Sequence, residues 1–430
     1  MRKIKIGIVK IISFMLRCIG RGGSLPGTLW LKLDSNVLKS IEYPSTVILV
    51  SGTNGKTTTT NLIYQMCKKS FDNVICNDKG DNMLIGVATL VLNNLKANRV
   101  NADAMVLEVD ELSLPRIYEN IKVSHIVVLN FFRDQLDRSG EMENIISKFE
   151  DTLKDYTGKL ILNSSDPNVN RLYKKVSKAT LSSFEVIVDN IDNNLLEAKE
   201  GRFCPFCNNE LNYDYYLYAH IGKYRCSHCD FNNTNVTYTY KFNDTIDYNG
   251  NQFEVNSSSL YSIYNYAALL SVSNELGLDI ENCRDIIKNY SINKGRNEKF
   301  KYNNKEIILN LVKNPTGSNE VLKEISKDTR KKDIVFILND NDNDGNDVSW
   351  IYDTKFEYIY DSTLNTFMCS GLRGYDLALR LFYGDCNNID VNLDYKQAID
   401  SFDNNDNVLY VLSTYSNIVK TRNYLERKSK

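Results

Sequence analysis

Val47-Ile48-Leu49-Val50-Ser51-Gly52-Thr53-Asn54-Gly55-Lys56-Thr57-Thr58 runs from an aliphatic stretch through two glycines into a hydroxyl-rich segment. Four consecutive aliphatic side chains read as a strand buried on both faces, and Thr57 to Lys69 reads as a helix. Gly52 and Gly55 let the backbone between them curl, so that its N–H groups point inward at phosphate oxygens, helped by the N-terminus of that helix. Strand, glycine turn and helix in this order make a phosphate-binding loop. Lys56 is placed to reach the β and γ phosphates of ATP, and the Thr57 hydroxyl to bind Mg²⁺. Only Thr53 and Asn54 separate the glycines, a shorter spacing than the general phosphate-loop pattern. The loop therefore stands on its flanks as much as on its own residues.

Working outward, short β-rich runs alternate with helical stretches from Ser45 to about Asp189. Strands are expected at Asn73 to Cys76, Ala104 to Val109, His125 to Asn130 and Leu160 to Leu162. Apolar strands between helices indicate a parallel sheet covered on both faces. Ligands of such sheets lie beyond the carboxyl ends of the strands. Three successive strands end there in polar residues: Glu108, then Asn130 with Asp134, Gln135 and Asp137, then Asn163 with Asp166. Glu108 is placed to hold Mg²⁺ against ATP, which needs only one or two protein oxygens.

Residues 200 to 255 break this rhythm, being rich in Tyr, Asn and Cys, and read as a β insertion. Helical patterning returns at Ser262 to Leu276 and around Ile280 to Tyr290, and Gly295-Arg296 opens a linker. A second α/β rhythm follows, with strands expected at Ile307 to Leu309, Ile334 to Leu338, Tyr358 to Tyr360 and Val408 to Leu412, and a helix at Leu377 to Leu381. The expected fold is α/β throughout. An N-terminal segment (1–44) packs on a central ATP-binding domain (45–297) that carries an insertion at 200–255, and a smaller Rossmann-like domain (298–430) follows.

Cys204-Pro205-Phe206-Cys207 and Cys226-Ser227-His228-Cys229 are two CxxC knuckles at the spacing of a zinc ribbon. Four thiolates with no open position imply a structural metal, with a redox or cluster role as the other reading. Cys18, Cys67, Cys76, Cys283, Cys369 and Cys386 are scattered and read as small hydrophobes. The acidic run Asn339-Asp340-Asn341-Asp342-Asn343-Asp344-Gly345-Asn346-Asp347 lacks the glutamate of a calcium loop, since Ile351 stands in its place. It reads as a strand-end loop, either functional or merely solvated.

The whole chain has 430 residues and a net charge of −2, so no basic excess recruits nucleic acid. With only three histidines, His125, His220 and His228, no Cys–His nucleophile pair is recognisable. Residues 4 to 19 are apolar but interrupted by Lys10 and Arg17, and fall short of a membrane span. They read as an amphipathic helix packed on the protein, with a membrane-surface contact as the alternative, and the expected location is cytoplasmic.

Residues 52 to 59, GTNGKTTT, resemble the phosphate loop of the Mur ligase family. Further pieces similar to that family occur in order: Glu108, Asn130 to Asp137, Asn163 with Asp166-Pro167, Asn265 with Ala267-Ala268, and Gly295-Arg296 with Glu298. Glu108-Val109-Asp110-Glu111, the cysteine insertion, Asn339 to Trp350, Ser370 to Arg373 and Asp376 to Arg380 resemble the members that amidate rather than ligate a whole amino acid.

The resemblance implies a ligase that binds ATP with Gly52, Thr53, Asn54, Gly55, Lys56, Thr57, Thr58, Asn265 and Arg296. It implies Mg²⁺ on Thr57 and Glu108, with Lys56 and Glu108 catalytic. The implied reaction converts the α-carboxylate of D-glutamate in the lipid II stem peptide to D-isoglutamine through an acyl phosphate, within peptidoglycan synthesis. Ammonia comes from a GatD-like glutaminase partner contacting the C-terminal domain. Asp347, or Asp344 in second place, completes the partner's catalytic Cys–His pair. An amino-acid ligase of the Mur or folylpolyglutamate type, or a non-enzymatic nucleotide-gated zinc-ribbon module, would be the competing functions.

Overall fold

Thr46–Ser51 (β1) is a strand whose residues after the first are buried, so helices must cover both of its faces. The computed structural model describes residues 2–18, 23–77, 82–133, 142–189, 200–233, 236–257, 259–290, 295, 297–302, 305–342 and 344–429. Arg296, Asp134, Gln135 and Asp137 lie outside them. Two compact units emerge: Met1–Phe131, Met142–Asn193 and Gly201–Tyr290 make the first, and Phe132–Glu141, Asn194–Glu200 and Ser291–Lys430 the second.

The first unit begins with helices α1 (Arg2–Cys18) and α2 (Leu25–Leu33), followed by β1, α3 (Lys56–Ser70), β2 (Val74–Cys76) and α4 (Leu84–Asn93). Strands β3 (Ala104–Glu108), β4 (His125–Val128), β5 (Lys159–Asn163) and β6 (Thr180–Val188) come next. A hairpin, β7 (Leu211–Tyr218) and β8 (Ile221–Cys226), leads into β9 (Tyr238–Asn243), β10 (Thr245–Tyr248) and β11 (Asn251–Glu254). Helices α5 (Leu260–Glu275) and α6 (Glu281–Asn289) close the unit.

Its sheet has nine strands in the order β11-β10-β9-β6-β5-β4-β1-β3-β2. All neighbours are parallel except at the β9-β10-β11 edge. The stretch expected to be one β insertion therefore divides. Only the β7-β8 hairpin stands apart, while Tyr238 to Glu254 extends the main sheet. Phe242, Ile246 and Phe253 are buried there, so part of the Tyr- and Asn-rich stretch that read as an insertion is the half-covered edge of the main sheet.

The second unit holds β12 (Glu298–Tyr302), β13 (Lys305–Leu311), α7 (Pro315–Ser326) and β14 (Lys332–Ile337). It continues with β15 (Leu364–Ser370), α8 (Gly374–Tyr383), β16 (Ile389–Val391), α9 (Tyr395–Asp400), β17 (Val408–Ser413) and α10 (Tyr415–Lys428). The sheet order is β12-β13-β17-β14-β15-β16, parallel apart from β12. Strand alternation sends Ile334 and Phe336 into one core and Val335 and Ile337 into the other.

Tyr358 to Tyr360 is not the strand the sequence suggested. Phe356–Ile359 is a 3₁₀ turn that buries Phe356 and Ile359, a spacing of three rather than two. The neighbouring parallel strand is Leu364–Ser370, whose polar start hid it.

Candidate functional site

The phosphate loop lies at the carboxyl end of β1, between β3 and β4. Gly52 has φ +132 and Gly55 φ +86, both in the region that favours glycine. A Cβ on Gly55 would lie 2.3 Å from Asn265 Oδ1, and one on Gly52 2.9 Å from the Asn130 nitrogen. Asn130 fixes the loop from β4: its side-chain oxygen accepts from the Asn54 N–H at 2.8 Å, and its Nδ2 donates to the Asn54 carbonyl at 3.0 Å. Its carbonyl accepts from the Thr53 N–H at 2.9 Å.

On the other side stands Asn265 from α5. Its Oδ1 accepts from the Thr59 hydroxyl at 3.0 Å. Its Nδ2 is buried with no hydrogen-bond partner among the described residues. An orphaned buried donor beside a loop with no room for a Cβ suits a ligand rich in acceptor oxygens, such as a nucleotide phosphate chain.

Lys56 opens α3 and is buried. Its ammonium donates to Glu111 Oε2 at 2.9 Å, to the Thr53 carbonyl at 3.2 Å and to the Gly52 carbonyl. Burial works against its charge, but Glu111, Asp110 and Glu108 outweigh burial, so Lys56 keeps its proton above the ordinary lysine value. Glu108 ends β3, beside Val50. Asn77, at the end of β2, clamps the Glu108 backbone with two 2.8 Å bonds, and Asn82 Nδ2 donates to Glu108 Oε1 at 3.2 Å. Thr57 is half-buried one residue after Lys56, and Thr58 is buried. Thr57 and Glu108 supply the hydroxyl and carboxylate oxygens that suit Mg²⁺ beside a phosphate chain.

The sequence reading missed the Lys56–Glu111 pair and the role of Asn77. The partners are far apart in the chain; the available signals were a polar residue just past each strand and the clustered acids of Glu108-Val109-Asp110-Glu111.

Beyond β5, Asn163 Nδ2 donates to the Leu129 carbonyl at 2.9 Å. Asp166 is fully buried, with Oδ2 accepting from the Phe131 N–H at 2.8 Å and Oδ1 from the Asn168 N–H at 2.8 Å. Its Oδ1 also lies 3.2 Å from Nε2 of buried His220, in the turn of the β7-β8 hairpin. The hairpin is further tied to this strand end by Tyr224 Oη, which donates to the Ser164 carbonyl at 3.0 Å, and by the Gly222 N–H on the Ser165 carbonyl at 3.0 Å.

The same hairpin gathers Cys204, Cys207, Cys226 and Cys229, with all four Sγ atoms within 4.8 Å of one another. Cys204 and Cys229 are 3.5 Å apart, and Cys207 and Cys226 3.4 Å. Four sulfurs this close can hold one tetrahedral ion. Asn209 donates to Cys207 Sγ at 3.4 Å and lowers that thiol to about 6, whereas burial raises Cys204. His228 is not among the four candidate ligands, and its backbone N–H donates to Cys226 Sγ at 3.4 Å. His125 lies at the amino end of β4, across the sheet from the loop, and burial lowers its pKa. Cys67, Cys283, Cys369 and Cys386 are buried and Cys76 is half-buried, while the Cys18 side chain lies outside the described residues.

In the second unit the acidic loop follows β14. Asp344 is buried, and its Oδ1 accepts from the Ser416 N–H at 2.6 Å, in the first turn of α10. Asn341 Nδ2 lies 3.4 Å from its other oxygen. Asp347 is only half-buried, and its Oδ1 accepts from the Ser349 N–H at 2.8 Å. Hydrogen bonds from Ser349 hold its carboxyl below the usual range.

Residues 50–203 match the Mur ligase middle domain, and residues 311–418 match the MurT ligase C-terminal domain. The chain is 33% identical over 384 residues to the lipid II isoglutaminyl synthase (glutamine-hydrolyzing) subunit MurT of Staphylococcus aureus (strain N315), covering 87% of this chain and 86% of that protein. It is 31% identical over 424 residues to the protein of the same name from Streptococcus pneumoniae (strain ATCC BAA-255 / R6), covering 96% and 94%. Among solved structures, a pseudomurein peptide ligase type C from Methanothermus fervidus matches with a TM-score of 0.70 at 19% identity, over 91% of this chain and 80% of that one. The MurF ligase of Thermotoga maritima in complex with ADP matches at 0.60 and 17%, over 94% and 85%.

The glycine loop on a parallel sheet, with a buried lysine and strand-end carboxylate beside it, thus defines an ATP-dependent ligase of the Mur type. Within that class, the chain belongs to the MurT family.

Proposed function

We propose that this protein is the synthetase subunit of a two-chain enzyme that amidates the α-carboxylate of D-glutamate in the lipid II stem peptide. The observation that carries this reading is the pairing, in one chain, of a Mur-type phosphate loop with a MurT-type C-terminal unit. The two relatives named above bear the name of that reaction.

ATP lies along the Gly52–Thr58 loop, its phosphate oxygens taking the loop N–H groups and the orphaned Asn265 amide. Lys56 moves from Glu111 to the β and γ phosphates and stabilises the charge that develops there. Thr57 and Glu108 would hold Mg²⁺, which when bound would neutralise charge on the phosphate oxygens. A substrate carboxylate oxygen attacks the γ-phosphorus, ADP leaves, and an acyl phosphate forms. Ammonia then attacks the acyl carbon, the C–O bond to phosphate breaks, and amide and inorganic phosphate result.

Ammonia comes from glutamine hydrolysed by a GatD-like partner. Asp347 is the residue we assign to the partner's histidine, because its carboxylate is half-exposed and ionised. Asp344 is committed to the end of α10. The four cysteines would hold a structural zinc ion, which would fix the hairpin.

The test is mass spectrometry of a lipid II analogue after incubation with ATP, glutamine and the reconstituted pair. Replacement of the carboxylate hydroxyl by an amino group is the expected product. A product carrying a whole amino acid instead would overturn the reading.

A further inference from the structure

Among its described side chains, helix α1 presents large apolar residues to solvent. Its Ser13 is buried and donates to Asn93 Oδ1 at 2.9 Å, and Val9 is buried beside it in the core. Lys10 also points inward and donates to the Leu95 carbonyl. The outward face carries Gly7, Ile11, Phe14 and Met15, with Ile11 63%, Phe14 62% and Met15 54% exposed. Helix α2 packs against α1 and repeats the pattern. Pro26, Gly27 and Trp30 face the core, while Leu25, Leu29 and Leu33 form an exposed stripe at a spacing of four.

These helices are firmly seated. A Cβ on Gly27 would lie 2.0 Å from the Ile85 carbonyl oxygen of α4, and the Gly27 N–H donates to Thr89 Oγ1 at 2.9 Å. Two adjacent apolar stripes on a rigid base mark an interaction surface rather than scattered surface hydrophobics.

Charge identifies the occupant. Up to Leu33 the chain carries Arg2, Lys3, Lys5, Lys10, Arg17, Arg21 and Lys32 and no acidic residue; Asp34 is the first. This stretch is therefore locally basic, seven cations and no anion, within a chain whose net charge is −2. Exposed apolar side chains in a segment whose sequence is basic and free of acids complement the headgroup region of an anionic bilayer. No described helix is long and apolar enough to cross a membrane, so the contact is with its surface.

We propose that α1 and α2 dock this protein onto an anionic lipid surface. The choice of a bilayer over a protein partner rests in part on the lipid-linked substrate proposed above. Docking would bring the chain to the surface in which that substrate is anchored.

The test is flotation of the full-length chain with phosphatidylcholine vesicles containing about a third phosphatidylglycerol, against phosphatidylcholine alone. Wild type should float with the anionic vesicles and much less with the neutral ones. The double variant I11E/F14E should lose about tenfold in bound fraction, as should Leu29→Glu, with unchanged melting temperatures. Failure of wild type to float, or equal flotation of both variants, overturns the proposal. So does a sedimentation-detected dimer that I11E/F14E dissolves without affecting flotation, which would assign the face to a second copy. Amidation of a water-soluble lipid II analogue by the chain with its glutaminase should be unchanged in I11E/F14E. A wild type that floats but leaves the analogue unmodified keeps the docking surface and overturns only the substrate reading.

Discussion

Lys56 carries opposing influences that can be separated by one substitution. Burial alone would drive its proton off, and Glu111 is the largest of the groups that keep it on. Because the folded ammonium titrates above an unfolded lysine, its contribution to stability is complete below the unfolded value and is lost only as pH rises through the folded one. In Glu111→Gln the desolvation remains while the main compensating charge is gone. The affinity for a non-hydrolysable ATP analogue should then fall off at lower pH than in wild type, measured as Kd across neutral to alkaline pH. An unchanged alkaline limb would mean that Glu111 does not set the charge of Lys56. Gly55→Ala acts on the same site by shape, since the new Cβ meets Asn265 Oδ1 at 2.3 Å on a backbone with φ +86. A cost of about 1–3 kcal/mol is expected for that strain, read by calorimetry as analogue binding weaker by roughly five- to 150-fold.

Elements show what the sequence could and could not disclose. The loop from Gly52 to Thr58 was legible because its signal is local: a strand, two glycines and a helix adjoin in the chain. The four cysteines were legible because their spacing is itself the geometry. Glu111 and Asn77 were not legible as partners of Lys56 and Glu108, since only the closing of a parallel sheet brings them together. Nor was the purpose of Asp344. Thr414 stands at the N-cap of α10 without a side-chain cap bond, and Asp344, from a distant loop, accepts from the Ser416 N–H instead. Asp344→Ala should therefore cost about 1–2 kcal/mol, as loss of a helix cap does, seen as a lower melting temperature without loss of nucleotide binding. The cysteine hairpin makes a different kind of support, because His220, Gly222 and Tyr224 attach it to the strand end that carries Asp166. Metal analysis should find one zinc per chain. Cys204→Ser should lose it, lower the melting temperature and weaken ATP turnover indirectly; a variant of undiminished stability would show that the four thiols serve no structural metal.

At the scale of the molecule, the proposed reaction assigns a different step to each of the two units. The first unit holds the phosphate loop with its lysine and carboxylates, and the second holds Asp347 on a loop beyond its own parallel sheet. If the first activates the carboxylate and the second serves only the supply of ammonia, then damage to each should be distinguishable by the nitrogen source. Lys56→Ala should abolish amidation with either glutamine or added ammonium salt, by about a thousandfold or more, because charge stabilisation on the transferring phosphoryl is lost in both cases. Asp347→Asn should behave differently. It removes the anion assigned to the partner's histidine, so glutamine hydrolysis and glutamine-supported amidation should fall together, as when a triad acid is replaced. Ammonium-supported amidation should stay near the wild-type rate, since no residue of the phosphate loop has changed. Parallel assays of glutamate release and amide formation in the reconstituted pair would read both quantities. Equal loss with the two nitrogen sources in Asp347→Asn would instead place that carboxylate in the acyl-transfer step and remove the division of labour between the units.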